Sequence, residues 1–255
     1  MFRVLDDRPG SRAAVSVTRP GPLLVYAHVR ASADAADLTG LRVLLTADLL
    51  SRAAELSGLQ VVATRVFVGD GEAEAMVERA AAAIGVLPPV LTAAAELARA
   101  WPNDTAVVHV ADESAAGEDD RGRILIRSAA ARRAQGDASA GTLGGQDPLA
   151  VRLALMSLPR HQPAELTGAT LANAARTLGE WRHHVARWAQ SPSGAIPAPT
   201  AATVREAFGD LDIAAVVALL HGLAADETVL PGPRFETFVY ADRVLGLDLP
   251  RDIGR

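Results

Sequence analysis

Two apolar runs separated by one helix-length segment constrain this chain more than any other feature. The first, LLVYAHV at residues 23–29, is bounded by Gly21-Pro22 and Arg30, and the second, LQVVATRVFV, begins just after Gly58. Between them Leu45, Leu49, Ala53 and Leu56 recur at helical spacing. An apolar run without alternation suits a strand buried on both faces, as in a parallel sheet. A glycine just past the last periodic residue is where a helix stops. Strand, helix, strand in this order is the crossover unit of an open α/β sheet. Met76, Ala80 and Ile84 mark a second amphipathic helix ended by GVLPP at 85–89, and AVVHV at 106–110 and RILI at 123–126 are further strands. The segment from Gly136 to Pro148, rich in Gly, Ser, Ala and Asp, reads as a loop between domains. The expected division is a parallel-sheet domain over 1–146 and a helical domain over 147–255.

The second half carries a different period. Leu171, Ala174, Leu178, Trp181, Val185 and Trp188 step by three and four, forming one apolar stripe on a helix that Thr167 can cap. After the linker SPSGAIPAPT the period resumes at Val204, Ala207 and Phe208. It continues after Asp212 at Ile213, Val216, Val217 and Leu220, and ends at Phe235, Phe238, Ala241 and Leu245. Antiparallel packing of four or five helices into a bundle is expected.

Composition then removes whole classes of chemistry. There is no cysteine, so disulfides, thiolate nucleophiles and cysteine-ligated zinc are excluded. All 25 basic residues are arginine, which excludes any mechanism that needs a lysine ammonium. A net charge of -5 provides no overall positive field for nucleic acid or anionic membrane. The charged, proline-broken start MFRVLDDRPGSR does not read as a signal peptide, and no run of about 18 apolar residues suggests a membrane span. A cytoplasmic protein with no membrane partner is expected.

The stretch YAHVRASADAADLTGLR, Tyr26 to Arg42, follows the first strand into its helix. With GVLPP, it resembles the nucleotide-binding domain of class I cysteinyl-tRNA synthetases and, still more, the mycothiol cysteine ligases. In those families a strand tyrosine, a zinc-binding cysteine and an aspartate precede a His-Ile/Leu-Gly-His motif at the helix start. Tyr26 matches the tyrosine, Asp34 the aspartate, Leu38 the apolar motif residue and Arg42 an arginine of the helix. The reactive positions differ: His28 stands for the zinc cysteine, Asp37 for the first motif histidine, Thr39 for its glycine and Gly40 for its second histidine. DPLAVRLALMSL, the helix ending WRHHVARWA, FGDLDIAAV and FETFVYADRVLGLDL are similar to the family's stem-contacting helical bundle. The resemblance covers roughly residues 22–97 and 147–250. Residues 98–146, where the family carries its other zinc ligands and lysine-bearing loop, do not align beyond a faint trace in GTLGG.

The resemblance implies a Rossmann-like fold of the class I synthetase type, a helical bundle and a truncated, degenerate paralogue. It implies no catalytic residue and no bound cofactor: a carboxylate at Asp37 repels a triphosphate, and no lysine remains. Tyr26, His28, Asp34, Asp37, Thr39, Gly40 and Arg42 are the candidate residues of a vestigial pocket. A nitrogen and oxygen metal site can be drawn from His28, His109, Asp112 and Glu113, against the plainer reading of a hydrogen-bonded histidine at a strand end. Asp37 and Thr39 equally suit capping of the following helix. The expected role is noncatalytic binding of a small metabolite, a protein or a second copy. A ligase with a site rebuilt around Asp34, Asp37, Thr39 and arginines is the alternative. Transfer RNA binding through Arg152, Arg160, Arg176, Arg182 and Arg187 ranks third.

Overall fold

The computed structural model describes residues 2–7, 14–17, 21–89, 105–113, 124–134 and 147–255. The chain is α/β. Strand β1 (Phe2–Leu5) pairs antiparallel with β2 (Ala14–Val17). A four-stranded parallel sheet follows, built from β3 (Leu23–Arg30), β4 (Val61–Val68), β5 (Val107–Ala111) and β6 (Ile124–Arg127) in the order β4-β3-β5-β6. A short parallel pair, β7 (Ala131–Arg133) and β8 (Ala164–Leu166), stands apart from it.

The central unit forms as its residues dictate. Helix α1 (Thr39–Leu56) joins β3 to β4 and stops before Gly58, whose φ of 85° is a conformation that glycine adopts without strain. Its buried Leu41, Leu44 and Leu45 pack with Val25, Ala27 and Val29 on one face of β3. Gly40 lets the helix approach that strand closely, since a Cβ there would lie 3.1 Å from the Arg30 carbonyl oxygen and 3.0 Å from Val29 Cγ1. Helix α2 (Gly71–Ala83) is capped by Asp70, whose carboxylate accepts from Ala73 N at 2.8 Å. It buries Ala73, Val77, Ala80 and Ala81, leaving Met76 half-buried rather than central to the stripe.

Beyond residue 147 the described chain is helical apart from β8. Helix α3 (Pro148–Met156) begins at Asp147, and α4 (Gly168–Trp188) begins at a reciprocal Thr167–Thr170 capping box. Helices α5 (Ala198–Gly209), α6 (Ile213–Ala225) and α7 (Pro231–Leu245) complete the set, followed by a 3-10 turn (Leu249–Asp252). Trp181 and Trp188, each 2% exposed, meet Phe238 of α7 edge to face at centroid distances of 5.5 and 5.2 Å. Both tryptophans are core residues.

The division expected near residue 146 borders a stretch outside the described residues, and the loop expected over 136–148 lies outside them up to residue 146. Buried side chains run without a break from Val25 through Leu41, Val151 and Phe238 to Leu249, and α1 packs on α5 and α7 as well as on the sheet. A buried polar knot fastens the two halves. Arg152 of α3, with no solvent exposure, donates to Asp48 Oδ2 of α1 at 2.6 Å, to Leu245 O at 2.6 Å and to Ile84 O at 3.2 Å. No helix among the described residues is long and apolar enough to cross a membrane.

Candidate functional site

In an open parallel sheet, ligands bind outside the carboxyl ends of the strands where the chain's winding reverses. Here the chain leaves β3 through α1 to β4 on one side, whereas β5 lies on the other. The reversal falls between β3 and β5. Register places Tyr26 between His109 of β5 and Thr64 of β4, so one face of the sheet carries a polar row. Tyr26 and His109 stack with centroids 5.2 Å apart, and His28 stacks on His109 at 4.9 Å. His28 Nε2 lies 2.7 Å from His109 Nδ1, so one ring donates and the other accepts. Thr64 and His109 are buried, Tyr26 and His28 half-buried, and buried Asp112 closes the end of β5.

The facing nitrogens of the two histidines lie too close to bind one zinc ion together. Zinc–nitrogen bonds of about 2.0–2.1 Å in a tetrahedral site hold two nitrogens about 3.3 Å apart, and the shared proton occupies the shorter gap found here. No group of three or more potential ligands occurs among the described residues. The pair reads as a hydrogen-bonded imidazole couple.

The start of α1, where the resemblance implies a nucleotide triphosphate, is closed by the chain itself. Leu38 N donates to Ala131 O at 2.8 Å, and Thr39 N donates to Asp37 Oδ1 at 2.9 Å. Ala131 N donates back to Thr39 Oγ1 at 3.2 Å, and Arg133 N donates to Ala36 O at 2.8 Å. Strand β7 thus lies along residues 36–39, with Leu38 N spent on Ala131 O and Thr39 N on Asp37 at the end of the helix where an anion would need free donors. With the Asp37 carboxylate at the same end, these residues do not fit a polyphosphate.

The candidate pocket residues therefore separate. Tyr26 and His28 lie together on one face of β3, beside His109 of β5. Asp37 and Thr39 organise the entry to α1, although the helix begins at Thr39 with Leu38 as its N-cap, one turn position earlier than capping by Thr39 requires. Asp34 shapes the preceding turn by accepting from Ala36 N at 2.9 Å and pairs with exposed Arg132 at 3.5 Å. Gly40 is buried packing space. Arg42 is not a ligand-binding arginine in this structure: it is 2% exposed and its terminal nitrogens donate to the carbonyls of Ala129, Pro159 and Gln162 at 3.2, 2.9 and 2.5 Å. Burial pulls its pKa down to about 10, yet it stays charged at neutral pH.

The helical arginines are also committed internally. Arg152 sits in the knot with Asp48, Arg160 pairs with Asp7, and Arg182 donates to Leu247 O at 2.8 Å and Asp248 O at 3.2 Å. Of the five expected on an RNA-facing surface, Arg176 and Arg187 remain exposed, and Arg176 pairs with Glu180.

Chain comparison adds nothing to this. No protein-family model and no curated protein matches the sequence. The likeness to the synthetase family stands on the residues of the chain itself.

A cleft of about 520 Å³ lies elsewhere, between the end of α1 and helices α5 and α7, lined by Arg3, Leu56, Arg205, Glu206, Phe208 and Tyr240. Its size favours it, but its charges are of mixed sign and its arginine Arg3 already faces Asp210 at 3.4 Å. The face of β3 and β5 instead carries the converging rings, and chemistry outweighs volume in choosing between the two.

Proposed function

We propose that the chain is a noncatalytic relative of the class I cysteinyl-tRNA synthetases and mycothiol cysteine ligases, with a Rossmann-like sheet, an antiparallel helical bundle and a small-molecule site at the carboxyl ends of β3 and β5. The observation that carries the reading is the contrast at those strand ends. The helix start that would hold a polyphosphate is bonded to β7, whereas Tyr26, His109 and His28 converge on one face of β3 and β5. Adenylate formation needs donors preorganised for developing negative charge, and loss of even one typically costs about a hundredfold to a thousandfold in rate. Here the motif histidines and the lysine loop are all missing.

The ligand class this supports is a small, flat, uncharged or cationic molecule that stacks on an imidazole and hydrogen-bonds to its edge. Thermal shift and calorimetry against a metabolite panel test it. A ligand whose binding is lost in His28→Ala and His109→Ala but kept in Arg205→Ala supports the strand-end site; the reverse pattern moves the site to the cleft. Pyrophosphate exchange with cysteine and ATP should equal a blank, and exchange that depends on this protein would overturn the noncatalytic reading.

A further inference from the structure

The parallel sheet has two edges, and the chain treats them differently. Along β6, Asp7 N donates to Leu125 O at 2.8 Å, while the carboxylates of Asp6 and Asp7 accept from Leu125 N at 3.3 Å and Arg127 N at 2.9 Å. That edge is occupied. Along β4 the inner bonds run from Leu23 N to Gln60 O at 2.7 Å and from Ala31 N to Val68 O at 3.0 Å. The alternation of a parallel ladder then turns the even-numbered residues toward β3 and points the N–H and C=O of Val61, Ala63, Arg65 and Phe67 outward. Among the described residues no backbone bond engages these four.

The strand's own sequence offers this edge little protection. VVATRVFV is eight residues of high strand preference with one charge and no proline, glycine or lysine, the residues that usually keep edges apart. Two exposed apolar side chains lie with it: Val68 at its end, 63% exposed, and Leu87, 57% exposed, whose carbonyl accepts from Arg65 Nη2 at 2.6 Å.

We infer that β4 is a dimerisation edge, pairing antiparallel with β4 of a second copy to make one continuous sheet of eight strands. A second copy is the occupant because the strand complements itself when reversed. A two-fold at Thr64 sets Val61 against the partner's Phe67, Ala63 against the partner's Arg65 and Val62 against the partner's Val66. Apolar side chains meet at Val61 with Phe67 and Val62 with Val66, and no like charges oppose. A shift of two residues one way sets Arg65 against the partner's Arg65, which is repulsive. The opposite shift leaves Phe67 beyond the end of the partner strand. The favoured register uses all four outward residues of each copy, in an isologous contact that closes on itself.

Because the natural chain has no cysteine, introduced thiols read this register directly. Val62 and the partner's Val66 form a non-hydrogen-bonded pair, with Cα atoms about 4.5 Å apart and within disulfide reach. Mixed Val62→Cys and Val66→Cys proteins should cross-link under mild oxidation, and neither should cross-link alone. Sedimentation equilibrium of the natural chain should show a dimer. Ala63→Pro removes an outward N–H that β3 does not use, so it should keep the native circular dichroism and weaken association about tenfold or more. A monomer at all concentrations, or a dimer without the mixed cross-link, overturns the inference. The cross-linking result decides the matter even if Ala63→Pro fails to fold.

Discussion

Asp48 is the residue whose loss should reveal how the sheet and the helices are held together. Its Oδ2 accepts from Arg152 at 2.6 Å and Arg52 Nε at 2.9 Å, while Oδ1 accepts from Leu87 N at 3.2 Å. Burial lowers the Arg152 pKa even with Asp48 beside it, so desolvation outweighs the attraction and the cation depends on its partner. Asp48→Ala leaves Arg152 charged and enclosed, near a second guanidinium. Breaking a buried pair from one side costs about 3–5 kcal/mol. Arg52 can turn toward solvent and relieve part of the repulsion, which argues against anything larger. At about 2–4 °C per kcal/mol for a chain of this size, melting should fall by roughly 6–20 °C. Urea unfolding of Asp48→Ala, Arg152→Met and the double variant supplies the cycle. The double variant should be more stable than the sum of single losses predicts, with a coupling of about 2 kcal/mol or more. A single loss under about 1 kcal/mol, or simple additivity, would refute the argument that the pair acts as a unit.

Three further outcomes follow from local chemistry. Thr167→Ala removes a capping box from α4 and should cost about 1 kcal/mol in denaturant unfolding, with Thr167→Ser close to natural. Gly40→Ala places a Cβ against the Arg30 carbonyl and should destabilise by about 1–3 kcal/mol, read the same way. His184 stacks on Trp188 at 5.1 Å, and burial followed by nearby Arg187 lowers its pKa. The unfolded chain therefore binds this proton more readily than the folded one, so stability should fall as pH drops below about 6.5 toward the folded value. His184→Gln should flatten that slope, and an unchanged slope would assign it to other groups.

Several elements were legible because their signals are local. The period of β3, α1 and β4, the Gly58 stop, the Thr167 cap, and Asp212 accepting from Ala215 N at the start of α6 all depend on residues near in sequence. Tyr26 and His28 are nominated by the resemblance of the stretch leaving β3 to the synthetase family, and alternate residues of a strand share a face. That His109 would complete the stack was suggested only within a metal set, since nothing in the 81-residue separation from His28 fixes the pairing of β3 with β5. The closure of α1 by β7 had no sequence signal: ARR is three residues long, and its pairing with residues 36–38 is set by where the chain returns.

Arginine shows the limit most clearly. By composition the sequence determined that every cation is a guanidinium and that thiol and ammonium chemistry are absent. It also determined, through apolar runs and period, the strands β3 to β6 and the longer helices, but not the short strands β1, β2, β7 and β8. Only tertiary structure decided that Arg42, Arg152 and Arg182 face carbonyl oxygens in the interior while Arg176 and Arg187 face water. A guanidinium has donors for several partners, and helical spacing gives the side of the helix it leaves from. Whether that side meets solvent or the ends of other elements depends on long-range packing, which the period of one helix does not encode.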